Sequence, residues 1–113
     1  MSLAIRLMAE PVRELASGAL VVGYSPVGTE MTRPIRMIVL QNTTDTGAMI
    51  SFNGVDDHLP LVTNGYMILD ITSNKTLPQG FFLAEGQTIY ARQLGAVATS
   101  GSVYLSVFYG ADL

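Results

Sequence analysis

The fold is decided by the stretch Ile35-Arg36-Met37-Ile38-Val39-Leu40-Gln41-Asn42, in which apolar and β-branched side chains occupy both alternating positions. A run of this kind predicts a central β-strand that is covered on both faces. Pro34 directly precedes the run, and because proline has no N–H it fits a strand only at its start. We therefore expect the substitution Val39→Asp to prevent folding, since either face would bury the carboxylate.

Shorter runs of alternating character lie on both sides of this stretch and are separated by turn residues. Downstream they cover residues 48–52, 59–62, 66–71, 88–92 and 102–109, with turn signals at Asn53-Gly54 and Asn64-Gly65. Upstream, residues 3–8 and 19–24 are interpreted as strands, residues 11–15 as an edge strand or one helical turn, and residues 25–32 as a loop. Residues 81–84 form a further short apolar segment.

These elements predict an all-β protein. No stretch of eleven or more residues has a clean 3.6-residue period, so no long amphipathic helix is expected. About seven to nine short strands at a spacing of about 8–12 residues are typical of a sandwich or a barrel. We predict a single domain over residues 1–113, folded as a two-sheet sandwich of jelly-roll type.

The chain carries few charges for its size. Of its 113 residues 13% are charged and 49% are hydrophobic, and the mean hydropathy is +0.37, whereas an ordinary soluble domain has about 25% charged residues. The predicted explanation is that other protein covers much of the surface. No apolar run approaches the ~20 residues that a membrane-spanning helix needs, so a membrane partner is not expected.

The remaining bulk properties narrow the function classes further. The net charge is −3 and the arginines are scattered, which disfavours nucleic-acid binding because phosphate recognition needs several cations on one face. There is no cysteine, and therefore neither a disulfide framework nor a thiolate metal site is expected. The N-terminal residues lack the pattern of a secretory signal, which predicts synthesis and use in the cytoplasm or export inside a larger particle.

The one cluster with possible chemistry is Asp56-Asp57-His58, which follows the Asn53-Gly54 turn signal. It could be a metal or acid–base site, or simply a solvated loop tip. Zinc needs three or four converging ligands, and neighbouring strand residues point to opposite faces, so the loop tip is the favoured interpretation. No nucleophile or phosphate-binding motif is present. We expect neither an enzyme nor a cofactor.

Adjacent aromatic or large side chains mark the candidate contact residues. A strand cannot direct neighbouring residues into one core, so either both faces are covered by this chain or one face meets a partner. In the last strand Val103, Leu105 and Val107 lie on one face, and Tyr104, Ser106 and Phe108 lie on the other. The interface candidates are therefore Phe81, Phe82, Tyr104, Phe108 and Tyr109. Of the Phe81-Phe82 pair, one ring is expected in the core.

Several segments after Arg33 carry a resemblance to a known family. They are Pro34-Ile35-Arg36-Met37-Ile38, Met49-Ile50-Ser51-Phe52-Asn53-Gly54-Val55-Asp56-Asp57-His58, Leu69-Asp70-Ile71-Thr72-Ser73-Asn74, Glu85-Gly86-Gln87-Thr88-Ile89-Tyr90, Ser100-Gly101-Ser102-Val103-Tyr104 and Tyr109-Gly110. In this region the chain resembles the small all-β structural proteins of the virions of tailed bacteriophages, above all capsid cement or decoration proteins.

The resemblance implies a particular function and location. The chain would be made in the host cytoplasm and reside in the virion, where it would bind itself as a homo-oligomer and a major capsid or other virion protein. It would stabilise the capsid lattice by binding alone. The alternative is a tail, neck or fibre module that binds a receptor or a carbohydrate. A small enzyme built around His58 is a third alternative, and it would need partner residues from distant segments.

Overall fold

The computed structural model describes the backbone of residues 5–70 and 85–112 and the side chains of residues 7–70 and 85–110. Within these residues there are nine strands and one short 3₁₀ helix, Ser17–Ala19. The strands are β1 (Ile5–Ala9), β2 (Arg13–Ala16), β3 (Ser25–Pro26), β4 (Met37–Asn42), β5 (Gly47–Ser51), β6 (Leu59–Leu61), β7 (Tyr66–Asp70), β8 (Tyr90–Leu94) and β9 (Ser102–Asp112). The all-β prediction is confirmed.

The strands form two antiparallel sheets, which we name sheet A and sheet B. Sheet A has the order β1-β9-β4-β7, and β2 pairs with a separate part of the β9 edge that also pairs with β1. Sheet B has the order β3-β8-β5-β6. The chain crosses repeatedly between the two sheets, so that sequence neighbours often lie in opposite layers. This interleaved order of strands is that of a jelly roll, as predicted.

The core lies between the two sheets and follows the period of two along each strand. Sheet A contributes buried side chains from alternate positions of β4 and β9, and sheet B does so from β5 and β8. The largest fully buried side chains include Leu20, Met31, Ile35, Ile38, Leu40, Ile50, Ile89 and Leu105. Because the alternation holds on both sheets, each sheet has one face in the core and one face outside.

The prediction that β4 is covered on both faces is wrong as far as the described residues go. Ile38 and Leu40 are buried, but Met37 and Val39 are only partly buried. Their side chains point away from sheet B, and an apolar strand in a two-layer sandwich has only one layer to pack against. A carboxylate at Val39 would therefore be partly solvated, and its effect on folding should be milder than the sequence suggests.

The predicted strand over residues 19–24 is not formed. Leu20 is buried in the core, whereas Val21 and Val22 are exposed, so the segment shows no strand-like alternation. It is anchored instead by a hydrogen bond of 2.8 Å from the Gln93 N–H to the Val21 carbonyl. The short strand β3 lies just beyond, inside the predicted loop.

A buried amide closes one end of the sandwich. The Asn42 Nδ2 group donates to the carbonyls of Thr46 and Leu61, each at 2.9 Å. The Asn42 Oδ1 atom accepts from the Thr44 N–H at 3.0 Å and from the Thr44 hydroxyl at 2.6 Å. Asn42 thus ties the turn after β4 in sheet A to β6 in sheet B, and its own polar atoms are satisfied.

We expect Asn42→Ala to lower the free energy of unfolding by about 3 kcal/mol, because each buried group left without a partner costs about 1–3 kcal/mol. The matched control is Gln41→Ala, the exposed neighbour on the same strand, which should cost less than about 0.5 kcal/mol. Urea unfolding monitored by tyrosine fluorescence measures both. Equal losses in the two variants would show that Asn42 does not hold the two sheets together.

Candidate interaction surface

The side of sheet A that faces away from sheet B is the candidate interaction surface, and we call it the outer face. The registers place its residues in three rows across the strands. The first row is Glu14, Tyr104, Gln41 and Tyr66; the second is Ser106, Val39 and Ile68; the third is Ala9, Phe108, Met37 and Asp70. Leu7 lies beyond the third row, opposite Gly110.

Apolar side chains dominate this outer face and remain accessible. Tyr66 is 69% exposed, Ile68 is 57% exposed and Leu7 is 61% exposed. The charged members among the rows are Glu14 and Asp70, at diagonally opposite corners. A monomer rarely exposes large apolar side chains as one continuous surface, and such a surface marks a site of contact with another molecule.

The outer side of sheet B differs because the chain covers it. The connection from β5 to β6 folds back over this side, and a Cβ at Gly54 would lie 3.2 Å from the Tyr90 ring. At the end of the connection Asp57 accepts two hydrogen bonds from Arg92, at 2.8 and 3.2 Å, and one from the Tyr24 hydroxyl. These contacts anchor the connection to β8.

The charges of this anchor stabilise one another. Hydrogen bonds from Arg92, and then from Tyr24, lower the pKa of Asp57, so its carboxylate stays ionised. The Arg92 guanidinium also lies 5.7 Å from the centre of the Tyr24 ring. The connection from β5 to β6 thus covers part of sheet B, and the hydrogen bonds and ion pairs of the described residues include no comparable anchor over the outer face of sheet A.

The structure separates the side chains of the Asp56-Asp57-His58 cluster. The Asp56 carboxylate accepts from the Asn53 amide at 2.9 Å, and the His58 Nδ1 atom accepts from the Phe52 N–H at 3.0 Å. All three cluster residues are exposed. Within residues 5–70 and 85–112 no group of three His, Asp or Glu side chains is placed to hold a metal ion.

A buried ion pair forms a second polar site, at the edge of sheet A. The Arg13 Nη2 atom lies 2.6 Å from the Glu10 carboxylate, and the Thr32 hydroxyl donates to the same carboxylate at 2.6 Å. Arg13 also donates to the carbonyls of Thr29 and Glu30, at 2.8 and 2.9 Å. The pair thereby ties β2 to the loop before β4, beside an open cleft of about 320 Å³.

Of the predicted interface residues, the structure brings two together on the outer face. Tyr104 and Phe108 lie there, both half-buried. Tyr109 lies on the opposite side of β9, against the core, with the Arg33 guanidinium 4.4 Å above its ring. Phe81 and Phe82 lie outside the described residues. Binding by Tyr104 and Phe108 stays a prediction.

The three most exposed apolar side chains of the outer face, Tyr66, Ile68 and Leu7, are not among the predicted interface residues. Tyr66 and Ile68 belong to a strand with apolar residues at both parities, Tyr66-Met67-Ile68-Leu69, which is the same signal that singled out Tyr104 and Phe108. Leu7 lies in a weakly alternating segment and could not be placed without the register of β1. The buried Glu10–Arg13 pair was missed too, because a spacing of three residues around Pro11 is uninformative outside a helix.

No helix in the described part of the chain has the length and apolar character to cross a membrane. Comparison of the chain with protein-family models, with curated proteins and with solved structures finds no match.

We expect the Glu10–Arg13 pair to make the fold sensitive to acid. Burial raises the pKa of Glu10, but the hydrogen bonds from Thr32 and Arg13 and the charge of Arg13 outweigh it, so the pKa lies below the usual range. The stability that the carboxylate contributes is therefore present above the unfolded value of about 4.3 and is lost as the pH falls through the lower folded pKa.

The test is the melting temperature of Glu10→Gln between neutral and strongly acidic pH. This variant should melt lower than the parent at neutral pH, because Arg13 loses its buried counter-charge, and it should depend less on pH in the acid range. The matched control Glu85→Gln alters an exposed carboxylate away from the outer face and should follow the parent curve. Parallel curves for Glu10→Gln and the parent would contradict the assignment.

Proposed function

We propose that this chain is a structural protein of a tailed-bacteriophage virion, specifically a capsid cement or decoration protein that acts by binding alone. The observation that carries the proposal is the accessible apolar outer face of sheet A. The low fraction of charged residues, 13%, supports it as well, because a chain of this composition gains from having its surface covered by protein. The location in a virion is proposed from the sequence resemblance.

The proposed mechanism uses binding energy and no chemical step. Copies of the chain, made in the host cytoplasm, attach to the assembled capsid and bridge neighbouring subunits of the major capsid protein. A ligand that binds only the closed lattice stabilises it against opening by mass action, because the bridge must dissociate first. The jelly-roll fold is compatible with this role, since viral capsid domains use it, but the fold by itself does not select a function.

A second candidate is a tail, neck or fibre module that binds a carbohydrate, and one observation favours it. In the first row of the outer face Tyr104 and Tyr66 flank the amide of Gln41, and Glu14 lies at the end of the same row. Aromatic rings beside polar groups can stack on a sugar ring and bond its hydroxyls. Jelly rolls also occur in lectin domains.

The experiment measures binding of the purified chain to heads of the phage that encodes it, assembled without the chain. We expect co-sedimentation with the heads at saturable stoichiometry, and a higher temperature of head disruption once the chain is bound. Ile68→Lys should weaken binding by at least about 10-fold, since a desolvated ammonium costs more than the about 1.4 kcal/mol that a factor of ten represents.

The matched control is Val97→Lys, which places the same charge at an exposed valine in the loop between β8 and β9, away from the outer face. It should bind heads as the parent does. Absence of head binding together with retention on a glycan surface, lost in Tyr66→Ala, would overturn the capsid proposal in favour of the carbohydrate module.

A further inference from the structure

We infer that the outer face of sheet A binds a second copy of this chain, giving a two-fold symmetric dimer in which two sheets A pack face to face. The inference rests on the proposed function, in which copies bridge neighbouring capsid subunits: two copies joined through this face form the bridge, and Ile68→Lys then weakens head binding because it separates the copies. The size of the face, the placement of its charges and its cross-strand rows together fit a self-complementary contact.

The outer face is large enough for a specific dimer. The eleven residues of β9 span about 36 Å at about 3.3 Å per residue, and β4 and β7 span about half of that length. Four strand positions at a spacing of about 4.8 Å give a projected area of about 500 Å². The accessible area of a surface corrugated by side chains is larger, and small specific interfaces bury about 600 Å² per partner.

The positions of the two acids favour a symmetric contact. Glu14 lies in the first row at the β2 edge, and Asp70 lies in the third row at the β7 edge. The proposed two-fold axis runs along the second row, perpendicular to the strands and parallel to the sheet. It places the first row of one copy over the third row of the other. Each strand then lies over the same strand of the second copy. Glu14 then lies over Ala9 of the second copy, and neither carboxylate meets another carboxylate.

The same operation pairs groups that suit one another. The Tyr66 hydroxyl lies opposite Asp70 of the second copy, where a phenol can donate to a carboxylate. Tyr104 lies opposite Phe108 of the second copy, an aromatic pair of the kind that contributes beyond its buried area. Each pairing occurs twice because the interface is isologous. At the centre, Val39 faces its own copy.

Face-to-face packing of two sheets A follows the usual geometry of stacked β-sheets. Two sheets that pack face to face commonly have their strands aligned to within about 30° and lie about 10 Å apart. A dimer of this kind is a four-layer stack in the order B-A-A-B. The connection that covers sheet B, anchored at Asp57, remains on the outside of the stack, where it does not interfere.

The test is sedimentation velocity of the full chain over a range from low micromolar to submillimolar concentration. The parent should sediment as a dimer that dissociates on dilution. Val39→Lys and Ile68→Lys should each raise the dissociation constant at least about 10-fold, because the symmetry places two new ammonium groups in the contact. Circular dichroism should show that both variants remain folded.

The matched controls are Val55→Lys, which charges a valine 78% exposed in the connection that lies over sheet B, and Val97→Lys, which charges a valine 70% exposed in the loop between β8 and β9. Both should dimerise as the parent does. A parent that stays monomeric throughout would overturn the inference. A dimer that withstands Val39→Lys and Ile68→Lys but dissociates in Val97→Lys would overturn it as well.

A cross-link gives an independent readout, because the chain has no cysteine of its own. Ser106→Cys places one thiol in the second row, beside the proposed axis, and a bismaleimide spanning about 10 Å should join two copies in high yield. Val97→Cys should give little cross-linked dimer under the same conditions. Equal yields from the two variants would contradict the face-to-face arrangement.

The outcomes separate this inference from the proposed function. A chain that binds phage heads as a monomer would overturn the dimer and leave the capsid role in place. A stable dimer through the outer face that ignores heads would overturn the capsid role and leave the dimer in place.

Discussion

The eleven-residue strand β9, hydrogen-bonded along both of its edges, is the constraint on which the rest of the structure depends. On one edge it pairs with β4, and on the other it pairs first with β2 and then with β1. Its alternation sends Val103, Leu105 and Val107 into the core and Tyr104, Ser106 and Phe108 to the outer face. One strand thus sets both the register of sheet A and the chemistry of its two surfaces.

The outer faces of the two sheets differ in how the chain covers them. Sheet B is covered by a connection from its own chain, held by the Asp57–Arg92 ion pair and by the close approach of Gly54 to Tyr90. Sheet A receives no such cover from the described residues. Since sheets with two apolar faces occur where both are packed, we propose that another protein chain covers the outer face of sheet A.

Buried polar groups fix how the layers join at their ends. Asn42 connects sheet A to sheet B through an amide whose polar atoms are satisfied, and the Glu10–Arg13 pair connects β2 to the loop before β4. Such groups cost free energy when they are left without partners, so they favour one arrangement of the strands over its alternatives.

Much of the fold follows from the sequence, because the period of two and the turn residues act locally. The strands from residue 37 onward were placed to within a few residues wherever the structure describes them. The segment over residues 19–24 was misassigned, since Leu20 enters the core alone and only the tertiary structure determines this. The prediction for residues 35–42 fails in part because apolar residues at both parities predict two covered faces, whereas Met37 and Val39 are only partly buried.

The outer face was predicted in part, from Tyr104 and Phe108, while Tyr66, Ile68 and Leu7 needed the register of three other strands. Cross-strand neighbours are set by pairing between distant segments, and no local pattern encodes them. Tyr109 shows the converse limit. Tyr109 and Phe108 are both aromatic, but neighbouring residues of a strand point to opposite faces. The Tyr109 ring therefore points towards the core, with the Arg33 guanidinium above it.

The central claim is that protein covers the outer face of sheet A when the chain is at work. Hydroxyl-radical footprinting of the assembled and the dilute chain, read by mass spectrometry at each residue, tests it most directly. The account predicts strong protection of Met37, Tyr66 and Ile68 on assembly, with Val55 and Val97 oxidised equally in both states. Unchanged oxidation of Tyr66 and Ile68 in the assembled state, with protection elsewhere, would contradict it.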